Sequence, residues 1–250
     1  MSFETKLRVI HILNHLAIVP AIYYGEWWMF LAALGWWSVI GCVGISAGFH
    51  RYLSHKAYKT HPWFEKISLF LGSLAMGGSP LAWAGAHRMH HAYTDKELDP
   101  HSPIQKDWWK IYIHYWGRIQ VDKRFIADLL KNKTVMWIHR HYFSIITFWA
   151  LGLTLIDPLL LIFGFCIPAV YAFHAYGQIN AWCHMFGYRT YNTKDHSYNN
   201  FLANLITWGE GWHNNHHNKP TKWQFGERWW EFDPAATLIK LVKKDDKYSY

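Results

Sequence analysis

The sequence predicts an all-α integral membrane protein with four spanning helices. Two observations predict the fold and a third locates its chemistry. Of 250 residues, 51% are apolar and 19% aromatic while only 17% are charged, a balance that excludes a disordered chain. The 25 Lys and Arg are absent from two long windows, residues 9–50 and 141–188. Histidine, with 18 copies against 17 carboxylates, is in an excess that points to metal chemistry.

A net charge of +8 suits either nucleic acid or an anionic membrane. A nucleic-acid surface has no reason to clear cations from two such windows. The positive-inside rule does, so no nucleic-acid partner is expected.

In chain order, residues 9–24 form the first expected span, short and carrying His11, Asn14 and His15. Residues 27–49 are the clearest span. They are uncharged and, at 1.5 Å per residue, long enough for a hydrocarbon core of about 30 Å. Tyr23, Tyr24, Trp27 and Trp28 suit an aromatic belt at the turn between the two. Residues 63–86 are apolar but interrupted by Gly72, Gly77, Gly78 and Pro80, with basic flanks on both sides. They are expected to lie in the membrane interface. Residues 142–156 and 159–182 form the second spanning pair, turned at Asp157-Pro158. The cations then place both termini, residues 51–140 and residues 184–250 on the cytosolic side. These basic segments lower the mean hydropathy to −0.11. No signal peptide is expected, because the first apolar run is broken by His and Asn and lacks a small-residue cleavage site. Cys42, Cys166 and Cys183 are odd in number and sit in apolar stretches, so they read as buried thiols. Residues 240–250 read as a solvated tail, and residues 1–250 as one domain.

Three histidine clusters carry the chemistry. The first pairs His50 with His55. The second holds His87, His90 and His91, and the third His213, His216 and His217. Offsets of i, i+3 and i+4 put the three rings on one helical face. The i+3 and i+4 rings are expected to diverge to either side of the first, so that one cluster serves two metals. Five residues is about 140° around an ideal α-helix, so the spanning helix is expected to end or bend near His50. All three clusters, with Asn180 and His184 at the end of the fourth span, fall on the cytosolic face. Eight cluster histidines plus His184 exceed what one tetrahedral zinc takes. No HExxH motif is present, so a zincin peptidase finds no support. Nine imidazoles shared between two metals with open positions suit iron and dioxygen, and the spacing also admits copper. The soluble di-iron bundles need two Glu-x-x-His motifs. This chain has only Glu210-Gly211-Trp212-His213. His11, His15, His61, His114, His139, His141, His174 and His196 read as surface, interfacial or packing residues, and His101 as a group behind the ligands.

The order HxxxxH, HxxHH, HxxHH resembles the integral-membrane fatty acyl desaturases of the delta-9 (stearoyl) group. The strings that carry the likeness are Gly48 to His55, His87 to His91 running on to Thr94-Asp95 and Asp99-Pro100-His101, Asn180 to His184 with Phe186 to Arg189, and Gly209 to His217. They cover residues 10 to 242. The resemblance implies a four-helix stalk under a cytosolic helical cap, with a di-iron site at their junction. It assigns His50, His55, His87, His91 and His216 to one iron. To the other it assigns His90, His184, His213 and His217, with Asn180 holding a water. It further implies that dioxygen is the co-substrate, that two hydrogens leave a mid-chain methylene pair, and that a cis double bond and water form. A bent apolar tunnel fixes which carbons face the metals, and Trp83 is the candidate wall residue, an interfacial anchor being its other reading.

This chain departs from the animal acyl-CoA enzymes of the resemblance. Their Arg-Asp pair before the second cluster is Gly85-Ala86 here, and their Asn-Ser-Arg-Arg-Gly segment is replaced by residues 102–107. The aromatic strings around Trp212 and residues 228–231 look like the short bacterial and cyanobacterial members, which act on acyl lipids. The substrate is thus expected to be an acyl lipid or acyl-CoA within membrane lipid. The electron donor is expected to be a separate protein, ferredoxin or cytochrome b5, since no cytochrome b5-like domain is fused. A membrane hydroxylase of the same histidine-box superfamily is the nearest alternative. A metal transporter would instead place ionisable groups mid-bilayer, and these histidines gather at helix ends.

Overall fold

The computed structural model describes residues 1–114 and 119–244; the end of the solvated tail, residues 245–250, lies outside the described residues. Among them the fold is all-helical, with only isolated bridges such as Tyr188 to Asn199. Three helical stretches are long and apolar enough to cross a membrane: Phe3–Tyr24, Trp27–Ser54 and Pro158–His184. The first is α1 (Phe3–Leu16) followed by α2 (Ile18–Tyr24), so the helix begins six residues before the expected start at Val9. Ser2 sets that start by accepting from the Thr5 amide, the usual role of a serine at an N-cap.

The second stretch ends near His50 as expected, but not for the expected reason. α3 (Trp27–Val39) continues through His50 as a π-helix over Ile40–Ser54. Its i→i+5 bonds include one from the His55 amide to the His50 carbonyl at 3.1 Å. Residue i+5 therefore returns over residue i, and His50 and His55 share a face, with ring centroids 4.9 Å apart. The 140° argument assumed an α-helix.

Residues 63–86 fold as two helices, α4 (Pro62–Leu74) and α5 (Pro80–Tyr93). α4 packs along the π-helix where glycine faces glycine: a Cβ on Gly44 would fall 2.3 Å from the Gly72 amide nitrogen. α5 starts cleanly, with Ser79 accepting from the Ala82 amide at 3.3 Å and Pro80 in the first turn. After the short α6 (Trp108–Tyr112), α7 (Lys133–Ile156) is capped by Asn132. It contains the expected third span, 142–156. That segment is not among the three stretches long and apolar enough to cross, because its apolar run is short and is preceded by the polar His139, Arg140 and His141. α8 (Pro158–Leu161), a π-turn over Ile162–Cys166, α9 (Ile167–Ala181) and a 3-10 turn at Trp182–His184 complete the last stretch.

Large apolar side chains stand outward along these helices, including Ile12, Val19, Ile22, Leu31, Phe148 and Leu155. Water would penalise such a band, whereas a bilayer accommodates it. Polar burial lies at the other end, where α10 (Phe201–Asn204), α11 (His213–Asn218) and α12 (Pro234–Val242) close over the π-helix. The three cysteines are free; Cys166 and Cys183 are buried as expected, whereas Cys42 is only half-buried.

Candidate metal centre

α11 is six residues long and has no cap from its own preceding residue, Trp212. Asn199 holds it instead. Its Oδ1 accepts from the Asn214 and Asn215 amides at 3.0 and 3.1 Å, and its Nδ2 donates to Asn215 Oδ1 at 2.8 Å. Asn199 and Asn215 are buried, so these bonds form away from competing water. The rings of α11 are thereby aimed at α5 and at the end of α9.

Two histidine sets result. His50, His55, His87, His91 and His216 form one, and His90, His184, His213 and His217 the other; within each set the nitrogens lie within 4.8 Å of one another. Rings at i and i+4 stay together (His87 with His91, His213 with His217) while the i+3 ring crosses to the other set. The expected divergence of i+3 from i+4 is present, but i+4 remains beside i because it lies only about 40° round the helix from it.

The nitrogens face one another closely. His55 and His87 Nε2 are 2.7 Å apart, His216 Nε2 is 2.9 Å from His91 and 3.0 Å from His50, and His213 Nε2 is 3.0 Å from both His184 and His217. One proton on His213 Nε2 satisfies at most one of its two neighbours, which leaves lone pairs opposed unless a cation lies between them. With metal–nitrogen bonds of about 2.1 Å, adjacent ligands are about 3.0 Å apart at right angles and about 3.4 Å apart in a tetrahedron. The observed separations match the right-angled arrangement, so the residues present fit a metal of higher coordination number than structural zinc.

Four carboxylates stand behind the rings, and sequence spacing did not assign them. Glu210 bonds His50 Nδ1, Asp99 lies 2.9 Å from His90 Nδ1, and Asp95 and Asp195 each lie 3.2 Å from Nδ1 of His184 and His217. An ionised carboxylate only accepts, so Nδ1 carries the proton and Nε2 turns its lone pair to the set. Burial raises Asp95, but the His184 bond and charge, the His196 amide and the Ser102 hydroxyl outweigh it and bring the group down to about 2. Asp99 and Asp195 are depressed in the same way against burial, by His90 and His217. Burial, then repulsion among neighbouring rings, pushes His87, His91, His213 and His216 well below the ordinary imidazole range. They are neutral at pH 7, as metal ligands must be.

Beside the sets lies a narrow cleft lined by Trp37, Gly41, Ile45 and Tyr176 together with His87, His90 and His213. Asn180 and Trp83 are both on its wall, Trp83 stacking on His87 with centroids 5.0 Å apart. His101 also lines it and stacks on His90 at 4.4 Å. His11, His15, His114 and His174 pack around Phe173, away from both sets.

An all-helical fold with outward-facing apolar helices and two polyhistidine sets beside a cleft fits a membrane protein able to hold metal. The fatty acid desaturase family model matches residues 25–243, and the chain belongs to that family of oxidoreductases of lipid metabolism. It is 34% identical to an sn-2 palmitoyl-lipid 9-desaturase of Nostoc sp. (strain 36), over 85% of this chain and 77% of that one. It is 32% identical to an sn-1 stearoyl-lipid 9-desaturase of Anabaena variabilis, over 94% and 87%. An acyl-CoA 5-desaturase of Anemone leveillei shares 31% identity over 92% and 73%.

Proposed function

We propose that this chain is a dioxygen-dependent di-iron desaturase that introduces a cis double bond at the ninth carbon of a saturated acyl chain carried on a membrane lipid. The observation that carries the reading is the pair of histidine sets opening on one apolar cleft. Irons held there supply the oxidising power of dioxygen, which with two electrons and two protons removes two hydrogens from adjacent methylenes and yields two waters. The chain's own residues do the rest. The five- and four-histidine sets hold the metals, their Nδ1 carboxylates fix ring orientation, and Asn180 holds a water at the four-histidine set. Trp83, Trp37 and Tyr176 confine the acyl chain and exclude bulk water.

Two observations favour a lipid carrier over acyl-CoA. Position 85 has no room for the arginine of the acyl-CoA enzymes, since even a Cβ there would fall 2.7 Å from Ile126 Cγ2 and 2.8 Å from Val121 Cγ1. Both 9-desaturases above are named for lipid-bound substrates. In this reading one domain spans the membrane four times, with 142–156 as the remaining span. Both termini and the metal centre face the cytosol under a helical cap, and a separate acidic ferredoxin docks on the cationic face.

The test is gas chromatography–mass spectrometry of cells fed deuterated stearate and expressing the chain with ferredoxin and its reductase. A labelled 9-monoene on membrane lipid, absent with His216→Ala, is the expected result. A labelled hydroxy acid, or a monoene with the bond elsewhere, would refute the corresponding part of the reading.

A further inference from the structure

The two histidine sets differ in what stands behind them. In the four-histidine set, three of the four rings back onto a carboxylate: His90 onto Asp99, His184 onto Asp95, and His217 onto Asp195. Among the described residues, the five-histidine set has one such ring, His50, on Glu210.

The charges are also compensated differently. Glu210 receives the guanidinium of the fully buried Arg51 at 3.2 Å, as well as the Ser46 hydroxyl. The three aspartates are hydrogen-bonded by neutral donors and keep their charge. Asp95 accepts from the His196 amide at 2.7 Å and the Ser102 hydroxyl at 2.7 Å. Asp99 accepts from the Asp95 and His101 amides at 2.8 and 3.0 Å. Asp195 accepts from the Thr193 hydroxyl at 2.7 Å and the Ser197 amide at 3.0 Å. The cations near this group bond other atoms: Lys106 donates to the backbone carbonyls of Asp99 and Pro100, and Arg189 to the carbonyl and hydroxyl of Thr193. Three carboxylates, of which Asp99 is buried and Asp95 and Asp195 are partly so, thus stand behind the four-histidine set, whereas the single carboxylate behind the five-histidine set is bonded by an arginine that it shares with Asp233.

A carboxylate that draws on the Nδ1 proton makes the ring a stronger electron donor through Nε2. Buried negative charge also favours the higher charge state of a nearby cation, at a strength set by the low local dielectric. Both effects act in the same direction and at the same set.

We infer that Asp95, Asp99 and Asp195 are positioning residues that make the two metals inequivalent, so that the ion in the four-histidine set is the one that gives up an electron first. This rests on the di-iron reading above. The step is a single-electron transfer: Fe2+ becomes Fe3+ and the oxidant takes the electron, with no bond made or broken.

The test uses the full chain in lipid nanodiscs, loaded anaerobically with 57Fe2+ and followed by Mössbauer spectroscopy while ferricenium, a one-electron oxidant, is added in steps. Two ferrous doublets are expected, one converting before the other with a preference on the order of tenfold. Asp195→Asn and Asp95→Asn, tested separately because either alone suffices, should shift the parameters of the early doublet and reduce its lead. Glu210→Gln should shift the late one. Conversion of both doublets in proportion, or an early doublet that neither aspartate variant perturbs, overturns the inference while two bound irons per chain leave the di-iron reading standing. A chain that takes up no iron overturns both.

Discussion

Replacing Arg51 by methionine tests the buried framework that ties the π-helix to Glu210, Trp223 and Asp233. Arg51 has no exposed surface. Its Nη1 donates to the Trp223 carbonyl at 2.8 Å and to Asp233 at 3.0 Å, its Nη2 donates to Glu210 at 3.2 Å, and its guanidinium lies 3.8 Å over the Phe225 ring. Methionine keeps the stem volume but leaves Glu210 and Asp233 buried without a cation. Breaking a buried pair from one side costs about 3–5 kcal/mol, because the stranded charge has neither water nor partner. For a chain of this length, each kcal/mol lowers the unfolding midpoint by about 2–4 °C, so a fall of about 6–20 °C is expected. Seventeen tryptophans make intrinsic fluorescence a sensitive assay, run at one scan rate in one detergent, since membrane proteins unfold irreversibly. Asp233→Asn on the same background should recover part of the loss, with a coupling of about 0.5–3 kcal/mol. Arg124→Met, at an exposed arginine, should change little. A fall below about 2 °C for Arg51→Met, or no coupling to Asp233, would refute the buried-network argument.

Asp95 lies at about 2 in the folded chain against about 3.9 unfolded. A depressed carboxylate stabilises above its unfolded value, and that contribution is lost as pH falls from about 4 towards 2; acid unfolding of metal-free protein should be shallower in Asp95→Asn. His213 Nε2 stands 3.0 Å from both His184 and His217, so His213→Ala should lower bound iron from two towards one per chain by plasma mass spectrometry. A Cβ on Gly41 would fall 2.7 Å from Trp208 Nε1 and 3.0 Å from Trp37, so Gly41→Val should reduce product from stearate at least about tenfold. Its iron content should stay at the wild-type level; iron loss instead would mean that the cleft and the metal centre are not separable.

Much of the fold was legible because its signals are local. The cation-free windows, the turn at Asp157-Pro158 and the interruption at Gly77, Gly78 and Pro80 each depend on a few adjacent residues. The π-helix was not legible, because residues 40–54 have no local mark that separates i→i+5 from i→i+4 bonding; the close packing of Gly44 on Gly72 and the long burial of that segment accompany it instead. Glu210 was visible in the sequence only as half of a missing bundle motif. Its contact with His50 spans 160 positions, far beyond any spacing rule.

The sequence by itself determined which residue types are present and which of them share a helical face, because 1.5 Å of rise and a near-constant turn relate neighbours without reference to the rest of the chain. It thereby determined the membrane character, the histidine clusters and the divergence of the i+3 ring from the i+4 ring. Only the tertiary structure decided how the clusters combine and which imidazole meets a carboxylate, because each set draws on three or more segments brought together by packing. The nitrogen that faces inward, and the charge behind it, depend on where Asp95, Asp99, Asp195 and Glu210 come to rest, and that is set by the closure of α11 and its neighbouring loops over the π-helix rather than by any interval along the chain.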